Sequence, residues 1–142
     1  MTAAILVTEA PLDAAALRQA ALDPGAGAVL LFEGCARDQH QGRPVAQLAY
    51  EAFVPMAEAE LARIREQAMA RFGLLRCLVH HRLGPVPVLE AAVLVAVASP
   101  HRAEAFAAAA WIMDRIKAQV PIWKREQYRD GEQSWVEGEQ RA

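Results

Sequence analysis

Cysteine is scarce: Cys35 and Cys77 are the only two in 142 residues. Their spacing matches neither a CxxC pair nor a metal-ligand set, so they read as reduced structural thiols rather than as a disulfide or a zinc site. Long apolar runs are missing too. No uncharged stretch approaches the roughly 18 residues a spanning helix requires, and no basic start leads into an apolar leader, so the cytoplasm is the expected compartment. A charge excess is also lacking, since 15 basic against 17 acidic residues leave a net charge of −2. That balance argues against a nucleic-acid domain, whose surface carries a basic excess or stripe, while the missing apolar run argues against a membrane-bound protein. Any cationic site must be local. Repeats, low-complexity tracts and linker-like segments are absent from the sequence, which predicts one domain over residues 1–142.

What is present is an ordinary globular composition, 54% hydrophobic and 23% charged, enough to build a core without staples. The apolar pattern predicts a short strand over 3–7 and a helix over 11–22, closed by Asp23-Pro24-Gly25. A long strand follows over 27–37, in which Gly34 marks a bulge or a close backbone approach. The polar segment Asp38 to Pro44 carries His40 and Arg43 and reads as a mobile loop beside a site. A strand over 45–53 leads to a helix from Pro55 to Phe72, with Ala57, Leu61, Ile64 and Ala68 on one stripe and Gly73 as its terminator. Strands over 74–83 and 91–99 flank a rigid Gly84-Pro85-Val86-Pro87 connection. The helix over 100–120 is apolar around much of its circumference, which predicts burial on more than one side, and Pro121 stops it. Residues 122–128 and 134–137 then form a hairpin through Asp130-Gly131. Interleaved strands and helices place the fold in the α/β or α+β class.

The start of the third helix breaks a local rule. Ser99 reads as its N-cap and Pro100 as its first helical residue, so Arg102 falls at the third position, where a capping box would carry Glu or Gln. A cation on the positive end of a helix dipole is explained either by an anion such as phosphate, held there with His101, or by an arginine that solvent tolerates. At the other end Lys117 shares a face with Phe106, Ala110 and Met113. An ammonium closing an apolar stripe is a proton-transfer group if desolvated, or else a snorkelling side chain at a helix C-terminus.

Further on, Lys124 and Glu126 share one face of an extended segment while Arg125 points to the other. Arg37 ends a strand beside a glycine-bearing loop, as ligand-binding residues and ordinary strand-end charges both do. Cys35 shares its face, which permits a persulfide carrier, though a buried thiol is the simpler reading. His80 and His81 are neighbours on a strand, face opposite sides and so form no metal pair. His101 and Lys117 are sixteen positions apart on one helix, about 24 Å at 1.5 Å per residue. One small ligand cannot touch both in one chain, so there are two sites or a two-fold dimer with composite sites.

Taken together, GAVLLFEGCARDQHQG, the Tyr50-Glu51 strand, HHRLGPVPV, SPHRAEAF, IMDRIKAQVPIWKRE and the closing Trp135-Val136-Glu137 resemble the large, catalytic subunit family of molybdopterin synthase. The likeness runs from about Gly27 to Glu137, and its most specific parts are the SPHR block and the lysine set before WKRE. It implies an α/β hammerhead with an additional small antiparallel β part, dimerised through large subunits, with a small subunit at each end. It implies a sulfurtransferase of molybdenum cofactor biosynthesis that converts cyclic pyranopterin monophosphate into molybdopterin. The two sulfurs arrive as a thiocarboxylate on the C-terminal Gly-Gly tail of a ubiquitin-like partner, with no cofactor or metal. By position, the resemblance implies that Lys117 and Lys124 are catalytic. Arg37, His101, Arg102, Arg125 and Glu126, with the same two lysines, bind substrate. Relatives often carry an arginine soon after Trp-Val-Glu, where this chain has Gly138-Glu139-Gln140-Arg141. A rival class is a scaffold that holds the ubiquitin-like partner without turnover, and a weaker one is a phosphate sensor built on SPHR alone.

Overall fold

A computed structural model describes residues 1–136. In chain order its elements are β1 (Ile5–Thr8), α1 (Ala14–Ala20), β2 (Ala28–Cys35), β3 (Gln39–His40), β4 (Arg43–Ala52), α2 (Val54–Phe72), β5 (Arg76–Arg82), β6 (Gly84–Pro87), β7 (Ala91–Ser99), α3 (Arg102–Gln119), β8 (Ile122–Tyr128) and β9 (Gln133–Trp135). One sheet runs β1-β5-β7-β2, with β1 parallel to β5 and the other pairs antiparallel. In the central strand β7 the apolar run AAVLVAVAS is buried almost throughout. Helices α2 and α3 cover one face and α1 the other, so both sets of alternating side chains meet apolar neighbours. Val79, Val95 and Val97 pack with Leu61, Ile64, Ile112 and Ile116 on the larger side. Leu78, Leu94 and Ala96 meet Leu17 and Ala21 on the smaller.

The second sheet is built on β4, which pairs with β3, β6 and β8, while β9 adds to β8. The main core continues into it through Val45, Leu48, Tyr50, Val86, Ile122 and Tyr128. Two expectations are corrected here. The segment from Asp38 to Pro44 is a tight β-hairpin rather than a mobile loop: His40 pairs with Arg43, and Gln41 and Gly42 make the turn at φ 51° and 79°. The Gly84–Pro87 connection is likewise a strand, with Leu48 opposite Val86. Its prolines are tolerated because β6 lies at the sheet edge, where missing donors cost no ladder bond.

The start of α3 also differs from its sequence reading. His101 is the N-cap, in extended conformation, and Arg102 is the first helical residue. Ser99 is still held in the sheet opposite Ala28, and its hydroxyl donates to the His101 carbonyl at 2.6 Å instead of capping the helix. Strand pairing runs to Ser99, and the helix is capped two residues later than the sequence signal placed it. Glu104 then occupies the third helical position, so the preference for an acidic first turn is met. The burial of α3 is one-sided as well: Ala105, Ala108, Ala109, Ile112 and Ile116 face the core. The stripe holding Phe106, Ala110 and Lys117 stays open, with Phe106 65% exposed.

Candidate active site

A cavity of about 250 Å³ lies where β2, β4, β7, β8 and α3 converge. Each wall has a local cause. The ladder between β2 and β7 shifts register at Gly34/Cys35, and a Cβ on Gly34 would sit 2.7 Å from Val93 Cγ1. Glycine therefore lets the two strands close up, and the irregularity turns Cys35 and Arg37 to the cavity. On α3, Met113 and Lys117 are one turn apart and both line it. From β8, Lys124 and Glu126 enter by strand alternation, opposite Tyr50 and Leu48 of β4.

The charges are unequal in surroundings. Lys124 is half-buried, and its pKa is lowered first by desolvation and further by the nearby charges of Lys117 and Arg37, with Glu126 pulling the other way. Glu126 is buried, and it is the one carboxylate among the residues lining the cavity. Its Oε1 accepts from the Tyr128 hydroxyl at 2.9 Å, and its Oε2 lies 3.6 Å from His40 Nδ1. Burial, with Glu126 adding, raises the Tyr50 phenol, which stays protonated. Cys35 is exposed at the cavity rather than buried as expected, and partial desolvation together with the Glu33 charge raises the thiol, which disfavours a thiolate.

Of the seven site residues expected from the sequence, Arg37, Lys117, Lys124 and Glu126 are brought together. Arg125 points to the opposite face of β8, 3.8 Å from Glu51 and over the Trp135 ring at 5.2 Å. His101 and Arg102 are exposed at the far end of α3, and Arg102 is about 22 Å from Lys117 along the helix axis. Arg141 and Glu137 lie outside the described residues. Among the described residues no three His, Cys, Asp or Glu side chains are grouped to hold a metal ion. His80 and His81 are both buried: His80 Nε2 lies 2.7 Å from the Ala3 carbonyl, and the His81 ring packs edge-on against Tyr50 at 5.0 Å.

Sequence reasoning missed Tyr50 and Tyr128 as neighbours of the site, and it placed His40 beside the site only as part of a mobile loop. Tyr128 was accessible by alternation from Glu126, and His40 by reading Gln41-Gly42 as a two-residue hairpin turn.

The model of the family described as MoaE protein matches residues 7–119. The chain belongs to the MoaE family. It is 46% identical over 113 residues to the molybdopterin synthase catalytic subunit of Pyrococcus abyssi, covering 80% of this chain and 76% of that protein. It is 50% identical to the catalytic subunit of Oryza sativa subsp. indica over 78% of this chain and only 57% of the rice protein, so it spans little more than half of that relative. The crystal structure of molybdopterin synthase from Staphylococcus aureus superposes with a TM-score of 0.87 at 36% identity, covering 93% of this chain and 96% of that one. A complex of subunits 1 and 2 of molybdopterin-converting factor from Helicobacter pylori, at 19% identity, shares the fold with a TM-score of 0.77 over 95% of this chain and 91% of that one. The MoaE assignment makes this chain a catalytic subunit of molybdopterin synthase, a sulfurtransferase in molybdenum cofactor biosynthesis. Its mixed helix and strand architecture is that of the family. Lys124 lies just beyond the part of the chain that the MoaE model matches.

Proposed function

We propose that the cavity between β2, β8 and α3 is where sulfur passes from the C-terminal thiocarboxylate of a ubiquitin-like small subunit to a pterin monophosphate. The observation that carries this reading is the meeting of Lys117, Lys124 and Arg37 around one small space, with one lysine partly stripped of water. Its volume of about 250 Å³ is below the usual range for a whole small-molecule site. That size suits a Gly-Gly tail, which brings no side chains, better than a pterin wholly enclosed by one chain. Lys124, with a weakened hold on its proton, and Lys117 beside it serve as proton donors and acceptors, and Arg37 balances the anionic tail.

His101 and Arg102 bind the pterin phosphate at a neighbouring copy's cavity, so that two chains complete each site. The open apolar stripe of α3, with Phe106 65% exposed between the two ends, supports such a dimer. In this arrangement Arg125 acts on its own face of β8. The Helicobacter pylori complex of two subunits supports a small-subunit partner only by fold. The protein is assigned to the cytoplasm as one domain, and among the described residues no helix is long and apolar enough to cross a membrane.

Reconstitution tests the reading. Lys117→Ala mixed with thiocarboxylated small subunit and pterin precursor is expected to form no molybdopterin. Retained turnover would remove the lysine from the mechanism, and partner binding without turnover by the unaltered chain would favour a scaffold.

A further inference from the structure

Glu126 poses a problem that the proton-transfer reading does not address. The residue is 5% exposed, and a buried carboxylate needs polar partners in place of the water it loses. Two residues outside the cavity lining stand against it. The Tyr128 hydroxyl donates to Oε1 at 2.9 Å, and His40 Nδ1 stands 3.6 Å from Oε2. Both are braced in turn. The Arg43 guanidinium lies 3.6 Å over the Tyr128 ring and pairs with Asp130 at 3.0 Å and Glu132 at 3.4 Å. The β3–β4 turn sets His40 directly across from Arg43.

We infer that His40 and Tyr128 are positioning residues that hold the Glu126 carboxylate on the cavity face of β8 that it shares with Lys124, and so govern how readily this lysine gives up its proton. The inference rests on the proposed role of Lys124 in sulfur transfer. Neither residue lines the cavity or touches reacting atoms. The groups that act on Lys124 are Glu126 on its own strand, Lys117 from α3 and Arg37 beyond β2. Tyr50 from β4 and Cys35 from β2 are the other titratable side chains lining the same space. Glu126 alone among these favours the ammonium. If it swings away, desolvation and two cations act on Lys124 unopposed.

Side-chain NMR of lysine-labelled protein tests this, with the Lys124 signal assigned by its loss in Lys124→Arg. Tyr128→Phe and His40→Asn should each let Lys124 deprotonate at lower pH, and Glu126→Gln should do so further. In the Glu126→Gln background, Tyr128→Phe should add nothing, because the hydroxyl then has no carboxylate to aim. In reconstituted turnover Tyr128→Phe should cost on the order of ten-fold in kcat, with KM for the pterin little changed and the pH–rate profile displaced with the titration. An unmoved Lys124 titration in both single variants, checked as folded by thermal melting, would overturn the inference. An equal displacement with and without Glu126 would do the same, showing that the two residues merely brace the hairpin. The titration needs no partner or substrate, so failure of the sulfur-transfer reading would appear separately, as an absence of turnover in the unaltered protein.

Discussion

Mixing two inactive variants gives the sharpest test of a site shared between copies. Fifteen residue steps separate Arg102 from Lys117 on α3, about 22 Å at 1.5 Å per residue. The cavity beside Lys117, about 250 Å³, is only about 6 Å across if treated as a cube. A ligand seated in it cannot reach Arg102 of the same chain. Arg102→Ala should therefore abolish turnover only if its guanidinium serves a second chain's cavity. When Arg102→Ala and Lys117→Ala chains pair at random, about half of the dimers are mixed. Each mixed dimer holds one site with both lesions and one with none, so about a quarter of all sites recover. Differently tagged chains allow the mixed dimer to be purified, and it should then show about half of full activity. Activity is read as molybdopterin formed from precursor and thiocarboxylated partner. No recovery in verified mixed dimers would refute the shared site, and full activity of Arg102→Ala by itself would remove that residue from it.

Three further outcomes are expected. His81 is buried, and desolvation lowers its pKa from 6.5 to about 4, opposed by its contact with the Arg82 carbonyl. The unfolded chain therefore binds a proton that the folded chain refuses between those values, and stability falls as pH drops through that window. From pH 7 to 5 the loss is about 2 kcal/mol, read by urea denaturation, and His81→Phe should flatten that part of the pH dependence. An unchanged slope in the variant would contradict it. Gly27→Ala would place a Cβ 2.3 Å from the Pro100 carbonyl oxygen, backbone against backbone. It should destabilise by about 1–3 kcal/mol in the same assay and weaken turnover by displacing His101 and Arg102, and a variant of normal stability would contradict the packing. Cys35→Ser should keep near-normal turnover, because the proposed sulfur arrives on the partner; loss of turnover with persulfide mass on Cys35 would point to a carrier thiol instead.

Much of the site was legible because its signals are local. Alternation along one extended segment placed Lys124 and Glu126 together and Arg125 apart, as found. Helical periodicity put Met113 and Lys117 on one stripe, and both line the cavity. Gly34 was expected to mark a bulge or close approach, and the structure has both, a register shift and contact with Val93. The failures share a cause, since each involved competition that residue order does not rank. Ser99 carries a capping signal and also completes a strand, and pairing with Ala28 won. Gly84–Pro87 looked like a connection because its prolines forbid a central strand, yet an edge position beside β4 accepts them.

Residue order alone determined most of the elements, the local nature of the cationic site and the distance that separates the two ends of α3. Those follow from side-chain periodicity, net charge and helix rise, which need no knowledge of neighbours. Only the tertiary structure decided which charges meet. It brought Arg37 to the same cavity as Lys117 and Lys124, some eighty residues further along the chain. It also set His40 and Tyr128 behind Glu126. Such groupings depend on strand register and on what each strand excludes from water, and both are properties of the packed chain.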